Sequence, residues 1–277
     1  MSTVALVTGG NQGLGYALVR GLCERLGPDA VVYLASRDAK RGRAAVSRLR
    51  AEGLTARAAL LDVTDEAGVS ALAEAVAAEH GGIDIVLSNA AARISPDVSD
   101  ADQVAGFVDT NNHGTNRMLK AFVPLLRDGG RYVVVASAFG VLSRLDPRLH
   151  ERFDTTRMSL EDVGEVMDGY VAEVRGGTAA ASGWPDWINV ASKVGQVASM
   201  RVAARDLAEG DRGIVVNAAC PGLVDTAASR PWFTDMAAAK SPDDAAEDVL
   251  WLALLPKAAR EPYGELVQYR AVLPWGR

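Results

Sequence analysis

Only three histidines and two cysteines occur among the 277 residues, and Cys23 and Cys220 have no metal-ligand spacing. No metal centre is expected, and the two thiols read as reduced core side chains. Lysine is scarce as well, five against 24 arginines, which points to a GC-rich bacterial coding sequence and not to any chemistry. Positive charge is in deficit, and the net charge of −6 with a pI near 5.2 argues against a nucleic-acid or anionic-membrane surface. No apolar run approaches the ~20 residues that cross a bilayer. The opening "MSTVALVTGG" enters an apolar segment at once, without the basic stretch and hydrophobic core of a secretory signal. A cytoplasmic protein without a membrane or nucleic-acid partner is the expectation.

What the chain does have is a regular rhythm. Short apolar runs at 3–8, 30–36, 56–62, 83–89, 131–137 and 213–219 read as buried strands, with 264–269 as a seventh. Helix-period segments such as 38–53 and 65–82 lie between them. Strands alternating with helices imply right-handed crossovers and one α/β domain over 1–277, a Rossmann-type doubly wound parallel sheet with helices on both faces. The stretch 143–182 interrupts the rhythm, and "MSLEDVGEVMDGYVAEV" within it has roughly helical spacing, so a helical insertion is expected there.

"TGGNQGLG" (8–15) falls between the first strand and the first helix, where a dinucleotide loop belongs. Gly9 permits the turn, Gly13 permits close approach of backbone to a pyrophosphate, and Gly15 permits tight packing of helix on sheet. Asn11, Gln12 and Leu14 complete the loop, and the following helix start offers unpaired N–H groups to phosphate. At the end of the second strand an NAD enzyme would place a carboxylate to accept from the ribose 2′-hydroxyl. Here the order is "SRDAKR", and Arg37 and Arg41 suit a 2′-phosphate, although cations at a helix start also serve as plain surface. NADP(H) is therefore expected over NAD(H).

With these residues the chain resembles the short-chain dehydrogenases/reductases, specifically the monomeric carbonyl-reductase type, over nearly its whole length. "TGGNQGLG" matches TGxxxGxG, and "LLDVTD" supplies Asp62 and Val63 at the adenine position that the resemblance implies. "LSNAAAR" stands where that family has NNAG, keeping Asn89 and Ala90 with Ala91 in place of glycine. The resemblance assigns Asn111 as the helix-kink asparagine, Ser137 as the catalytic serine, and Pro221, Gly222, Val224 and Thr226 of "CPGLVDT" to the nicotinamide carboxamide. It also implies a substrate lid over 226–240 and an insertion that covers the surface other members use to oligomerise, hence a monomer.

The match departs at "GWPDWINVASKVG". The position of the family's tyrosine is Asn189, with Lys193 retained four residues on. None of the six tyrosines is followed four residues later by lysine, so no intact YxxxK exists. A phenol beside an ammonium gives up a proton near neutral pH, whereas a carboxamide only donates a hydrogen bond. Ser137 and Asn189 would then clamp a carbonyl oxygen while Lys193 holds the nicotinamide ribose. The proton has three candidate sources: a water in the space left by the shorter side chain, His113, or a phenol on the substrate beside its ketone. Trp184, Trp187, Trp232 and Phe139 fall in segments that border the family's cleft, and such walls suit a small-molecule aromatic ketone. The whole resembles the tyrosine-lacking ketoreductases of angucyclinone antibiotic pathways such as simocyclinone biosynthesis. The competing expectation is a catalytically inactive NADP(H)-binding redox sensor.

Overall fold

The computed structural model describes residues 2–276 apart from 209 and 211. The elements run β1 (Val4–Thr8), α1 (Gly13–Leu26), β2 (Val31–Ser36), α2 (Ala39–Ala51), β3 (Arg57–Leu60), α3 (Glu66–His80) and β4 (Ile83–Ser88). They continue as α4 (Asp100–Val108), α5 (Gly114–Phe122), β5 (Leu126–Val135), α6 (Leu160–Arg175), α7 (Ala179–Ser182), α8 (Ile188–Leu207), β6 (Val215–Cys220), α9 (Pro242–Ala253), β7 (Leu266–Gln268) and β8 (Ala271–Leu273).

Strand order is β3-β2-β1-β4-β5-β6-β7-β8, parallel from β3 to β7 and antiparallel at β8. Every residue of β1, β4 and β6 is buried, as expected where helices cover both faces of a parallel sheet. One face packs on α1, α2 and α9, through side chains such as Leu18, Leu22, Leu49 and Val249. The opposite face packs on α3, α5 and α8, through Val69, Met118, Phe122 and Met200. The chain leaves β1 and β4 toward opposite sides, so a crevice opens beyond their carboxyl ends.

The sequence-predicted strands all form, but β3 and β7 are shorter and the eighth strand was not foreseen. β8 exists because Tyr269 and Arg270 turn the chain with φ of 51° and 62°. A two-residue hairpin turn of this kind normally advertises itself with glycine or asparagine, and neither is present here.

Within 143–182 the chain forms a 3-10 turn over Pro147–Phe153, then α6 and α7. A capping box starts α6, with Ser159 accepting from the Asp162 amide and Asp162 accepting from the Ser159 amide. Leu149, Phe153, Val163, Met167 and Tyr170 bury against Phe107 of α4 and Val194 of α8, forming a separate apolar cluster. This cluster seats the start of α8, and with it the residues at 187–193.

Candidate active site

The glycine loop has the backbone its residue types demand. Gly9 and Gly13 hold φ of 65° and 52°, in the left-handed region that costs glycine nothing. A Cβ on Gly15 would lie 2.2 Å from the Gly9 carbonyl oxygen, so only glycine lets α1 sit this close to the loop. Gln12 is the N-cap of α1 but makes no side-chain cap, and no acidic residue occupies the first turn. The N–H groups there remain available to an anion. The Asn11 carbonyl accepts from Arg48, which stacks on the Tyr16 ring 4.3 Å away, while Leu14 packs on the sheet. Thr8, the first residue of the loop motif, binds this edge together: its hydroxyl accepts from the Asn89 and Ala90 amides at 2.9 and 2.8 Å. Asn89 donates in return to the Thr8 carbonyl, and Ala91 lies exposed beyond it.

At the end of β2 the two arginines part company. Arg37 is exposed and has no ion-pair partner among the described residues, whereas Arg41 lies 3.5 Å from Asp38, the N-cap of α2. Arg37 is thus the guanidinium free to meet a phosphate. Asp62 closes the turn after β3 by accepting from the Thr64 amide and hydroxyl, and Val63 packs under Gly114. These loops and the helix start form a cradle that fits a dinucleotide with an added phosphate.

The second half of the crevice is a cleft of about 410 Å³. Ser137, Asn189 and Lys193 all line it, together with Gly222, Val224 and Thr226. Ser137 leaves the end of β5, while Asn189 and Lys193 share one face of α8 because they are four residues apart. Pro221 follows β6 directly and is buried. Lys193 is only partly exposed, and desolvation pushes its ammonium down to about 8. Asn111 lies deeper, 1% exposed, in a π-helical turn over Asp109–His113, where its side chain accepts from the Ala92 amide at 2.8 Å. That wide turn joins α4 to α5 at the position where the resemblance places a helix kink.

Aromatic walls form on one side. Trp187 meets Phe139, Trp232 and Phe233 with ring centroids 5.3, 5.8 and 6.4 Å apart. Trp232 and Phe233 come from the loop over 226–240, whose ends are clamped by backbone bonds between Asp225 and Lys240 and between Lys240 and Leu223. Trp184 does not belong to this wall. It is 3% exposed, packs on Tyr170 and Phe153, and donates its indole N–H to Glu173 at 3.0 Å. It lies three positions before Trp187, but it follows the left-handed turn at Gly183 (φ 95°) and sits in the insertion core. His113 is likewise elsewhere: its Nε2 lies 2.9 Å from Asp168 on α6, and it does not line the cleft.

Three lining residues were not legible in advance. Cys220, at the end of β6, accepts from the Ala138 amide at 3.1 Å and from Gln268 at 3.2 Å. It is core, as expected, and also cleft wall; burial raises its thiol pKa while Lys193 opposes the rise. Tyr269 brings a phenol to the cleft from the β7–β8 turn, with its oxygen over Gly222 and the Lys240 nitrogen 4.4 Å from its ring centroid. Arg93 stands on the rim after β4. Among the described residues no group of three His, Cys, Asp or Glu side chains is placed to hold a metal.

Residues 3–145 match the short chain dehydrogenase family. The chain is 37% identical to mouse carbonyl reductase [NADPH] 1 and 36% identical to the human protein, in each case over 98% of both chains. Among solved structures, salutaridine reductase from Papaver somniferum superposes with a TM-score of 0.82 over 95% of this chain and 99% of its own, at 24% identity. A short chain dehydrogenase from Burkholderia cenocepacia in complex with NADP superposes at 0.66 over 96% of this chain and 95% of its own, at 25% identity.

Proposed function

The chain belongs to the short chain dehydrogenase family, and from that premise we propose that it is a ketoreductase of planar aromatic polyketide ketones, of the angucyclinone type. At the coarser level it is an NADPH-dependent oxidoreductase acting on carbonyl groups. The observation that carries the finer one is the cleft itself, where Ser137, Asn189 and Lys193 meet a wall of Phe139, Trp187 and Trp232 with no tyrosine ahead of the lysine.

NADPH, when bound in the cradle, supplies the hydride. Gly9, Gly13 and Gly15 would let its phosphates approach, Arg37 would hold the 2′-phosphate, and Lys193 would hold the ribose. Ser137 and Asn189 donate to the substrate oxygen and hold it where negative charge develops. Neither residue gives up a proton near neutral pH. The proton comes from a phenol on the substrate beside the carbonyl, already hydrogen-bonded to it. The phenol's proton would pass to the oxygen that Ser137 and Asn189 hold as negative charge develops on it, and solvent would reprotonate the phenolate. His113 bonds to Asp168 and does not line the cleft, which favours the substrate phenol over it as the source. Packing of α6 on α4 and α8 supports a monomer, and no described helix is long and apolar enough to cross a membrane.

The test follows NADPH absorbance with paired aromatic ketones that differ only in a hydroxyl beside the carbonyl. Turnover confined to the hydroxylated member supports the substrate-derived proton, and equal turnover of both points to water. Tight NADPH binding with no turnover of either would favour the redox sensor.

A further inference from the structure

Beneath Lys193 the interior carries a chain of side chains that no step above uses. Lys193 Nζ donates to Gln196 Oε1 at 2.7 Å, Gln196 Nε2 donates to Thr115 Oγ1 at 3.1 Å, and the Thr115 hydroxyl donates to the Asn111 carbonyl at 2.6 Å. Gln196, Thr115 and Asn111 are 2%, 3% and 1% exposed. Lys193 and Gln196 are three apart on α8 and therefore share a face.

Donor and acceptor roles in this chain have a single consistent assignment. An ammonium only donates, so the carboxamide must turn its oxygen to Lys193. Its NH₂ then faces Thr115, whose oxygen accepts and whose proton is left for the Asn111 carbonyl. Asn111 is itself fixed, because its side chain accepts from the Ala92 amide at 2.8 Å. A lysine has a flexible four-carbon stem and many rotamers. Here its tip is tied to a backbone carbonyl two buried side chains away.

We infer that Gln196 is a positioning residue: its neutral carboxamide anchors the Lys193 ammonium at the cleft wall and stabilises its charge without a counter-ion. The inference rests on the reading of Lys193 as the cation that faces the cofactor. Among the described residues no carboxylate forms an ion pair with that ammonium. From β6 the titratable neighbour is Cys220, from the β7–β8 turn Tyr269 lines the same cleft, and on the turn before α5 Asp109 is paired with Arg117 and His113 with Asp168. A carboxylate in place of Gln196 would neutralise the ammonium; an apolar side chain would release it.

The test is a direct titration of Lys193 in the full chain, with lysine carrying ¹³C at Cε. Only five lysines give signals, and Lys193→Arg identifies the one that disappears. With Gln196→Met the Lys193 midpoint is expected to fall by about one pH unit, and with Gln196→Glu to rise by about one. A glutamine that merely packs α8 on α5 leaves the midpoint in place, so unchanged values in both variants overturn the inference. Gln196→Glu is nearly isosteric and decides the matter alone if the methionine variant does not fold. NADPH affinity, read by fluorescence, should fall about tenfold in Gln196→Met, a loss of one charge-assisted contact. A shifted midpoint with unchanged NADPH affinity would support the anchor and overturn only the assignment of Lys193 to the cofactor.

Discussion

Trp187 and Trp232 meet in the cleft wall with ring centroids 5.8 Å apart, although one begins α8 and the other lies on the loop after β6. Their contact makes the loop part of the binding wall, and it separates two tryptophans that sequence treats alike. Trp232→Ala should raise KM for an aromatic ketone about tenfold, the loss of ~1.5 kcal/mol of apolar contact, with the melting temperature nearly unchanged. Trp184→Ala should do the reverse, costing about 3–5 kcal/mol of stability in denaturant titration and leaving KM in place. A KM effect from Trp184 equal to that of Trp232 would contradict the division.

Cofactor choice is expected to depend on Arg37 far more than on Arg41. The guanidinium of Arg41 is drawn to Asp38, and Arg37 has no partner among the described residues. Arg37→Ala should weaken NADPH by roughly 10-fold or more, the worth of a charge-assisted hydrogen bond, and leave NADH binding within twofold. Arg41→Ala should change both little. Calorimetric titration of each cofactor decides between them.

Lys193 carries a stability signature with a definite sign. Its pKa falls to about 8 in the folded protein, below the ordinary value of an exposed lysine. Below about pH 8 the ammonium is charged in both states and the folded state bears its desolvation. Between about 8 and the unfolded value the unfolded chain binds the extra proton, so this contribution to stability rises with pH. Lys193→Met should therefore melt higher than the parent at pH 7, and the difference should shrink as pH passes from about 8 toward ~10.4. A gap independent of pH would mean that the ammonium is not desolvated.

The proton source can be probed from the protein side. Asn189→Ala should reduce turnover of a hydroxylated ketone about 100-fold, the loss of one oxyanion donor, without abolishing it. Asn189→Tyr places a phenol four residues ahead of Lys193 and should confer measurable turnover of the ketone that lacks the neighbouring hydroxyl. If Asn189→Ala abolished activity altogether, the clamp assignment would fall.

Tyr269 is the one phenol among the residues lining the cleft, and its oxygen rests over Gly222 beside Lys240. Tyr269→Phe is expected to keep kcat within about twofold, with any change confined to cofactor affinity. A loss of two orders of magnitude or more, the usual scale for removing a general acid, would transfer the proton step to Tyr269.

The parts of the candidate site that the sequence points to are local. Gly9, Gly13 and Gly15, singled out by their spacing, lie in one loop after one strand, and Asn189 and Lys193, singled out by the family resemblance, lie on one turn of one helix. What escaped notice depends on partners distant in sequence. Gln196 reads as an ordinary polar residue on an apolar helix until Thr115 and Asn111 are seen against it. Cys220 reads as core until Gln268 and Ala138 reveal that the core ends there at a cleft. Tyr269 was hidden because the hairpin that delivers it lacks the glycine or asparagine that marks such turns.

The order of apolar runs and helix-period segments alone determined the doubly wound sheet, since period and alternation dictate which faces can be buried. The glycine pattern alone determined where a phosphate could lie, because only glycine tolerates those backbone angles and that approach. Which tryptophan faces a substrate, which arginine is free, and what holds Lys193 were decided by tertiary structure. Each depends on which side chains from distant segments reach a given donor, charge or ring first, and spacing along the chain carries no record of that competition.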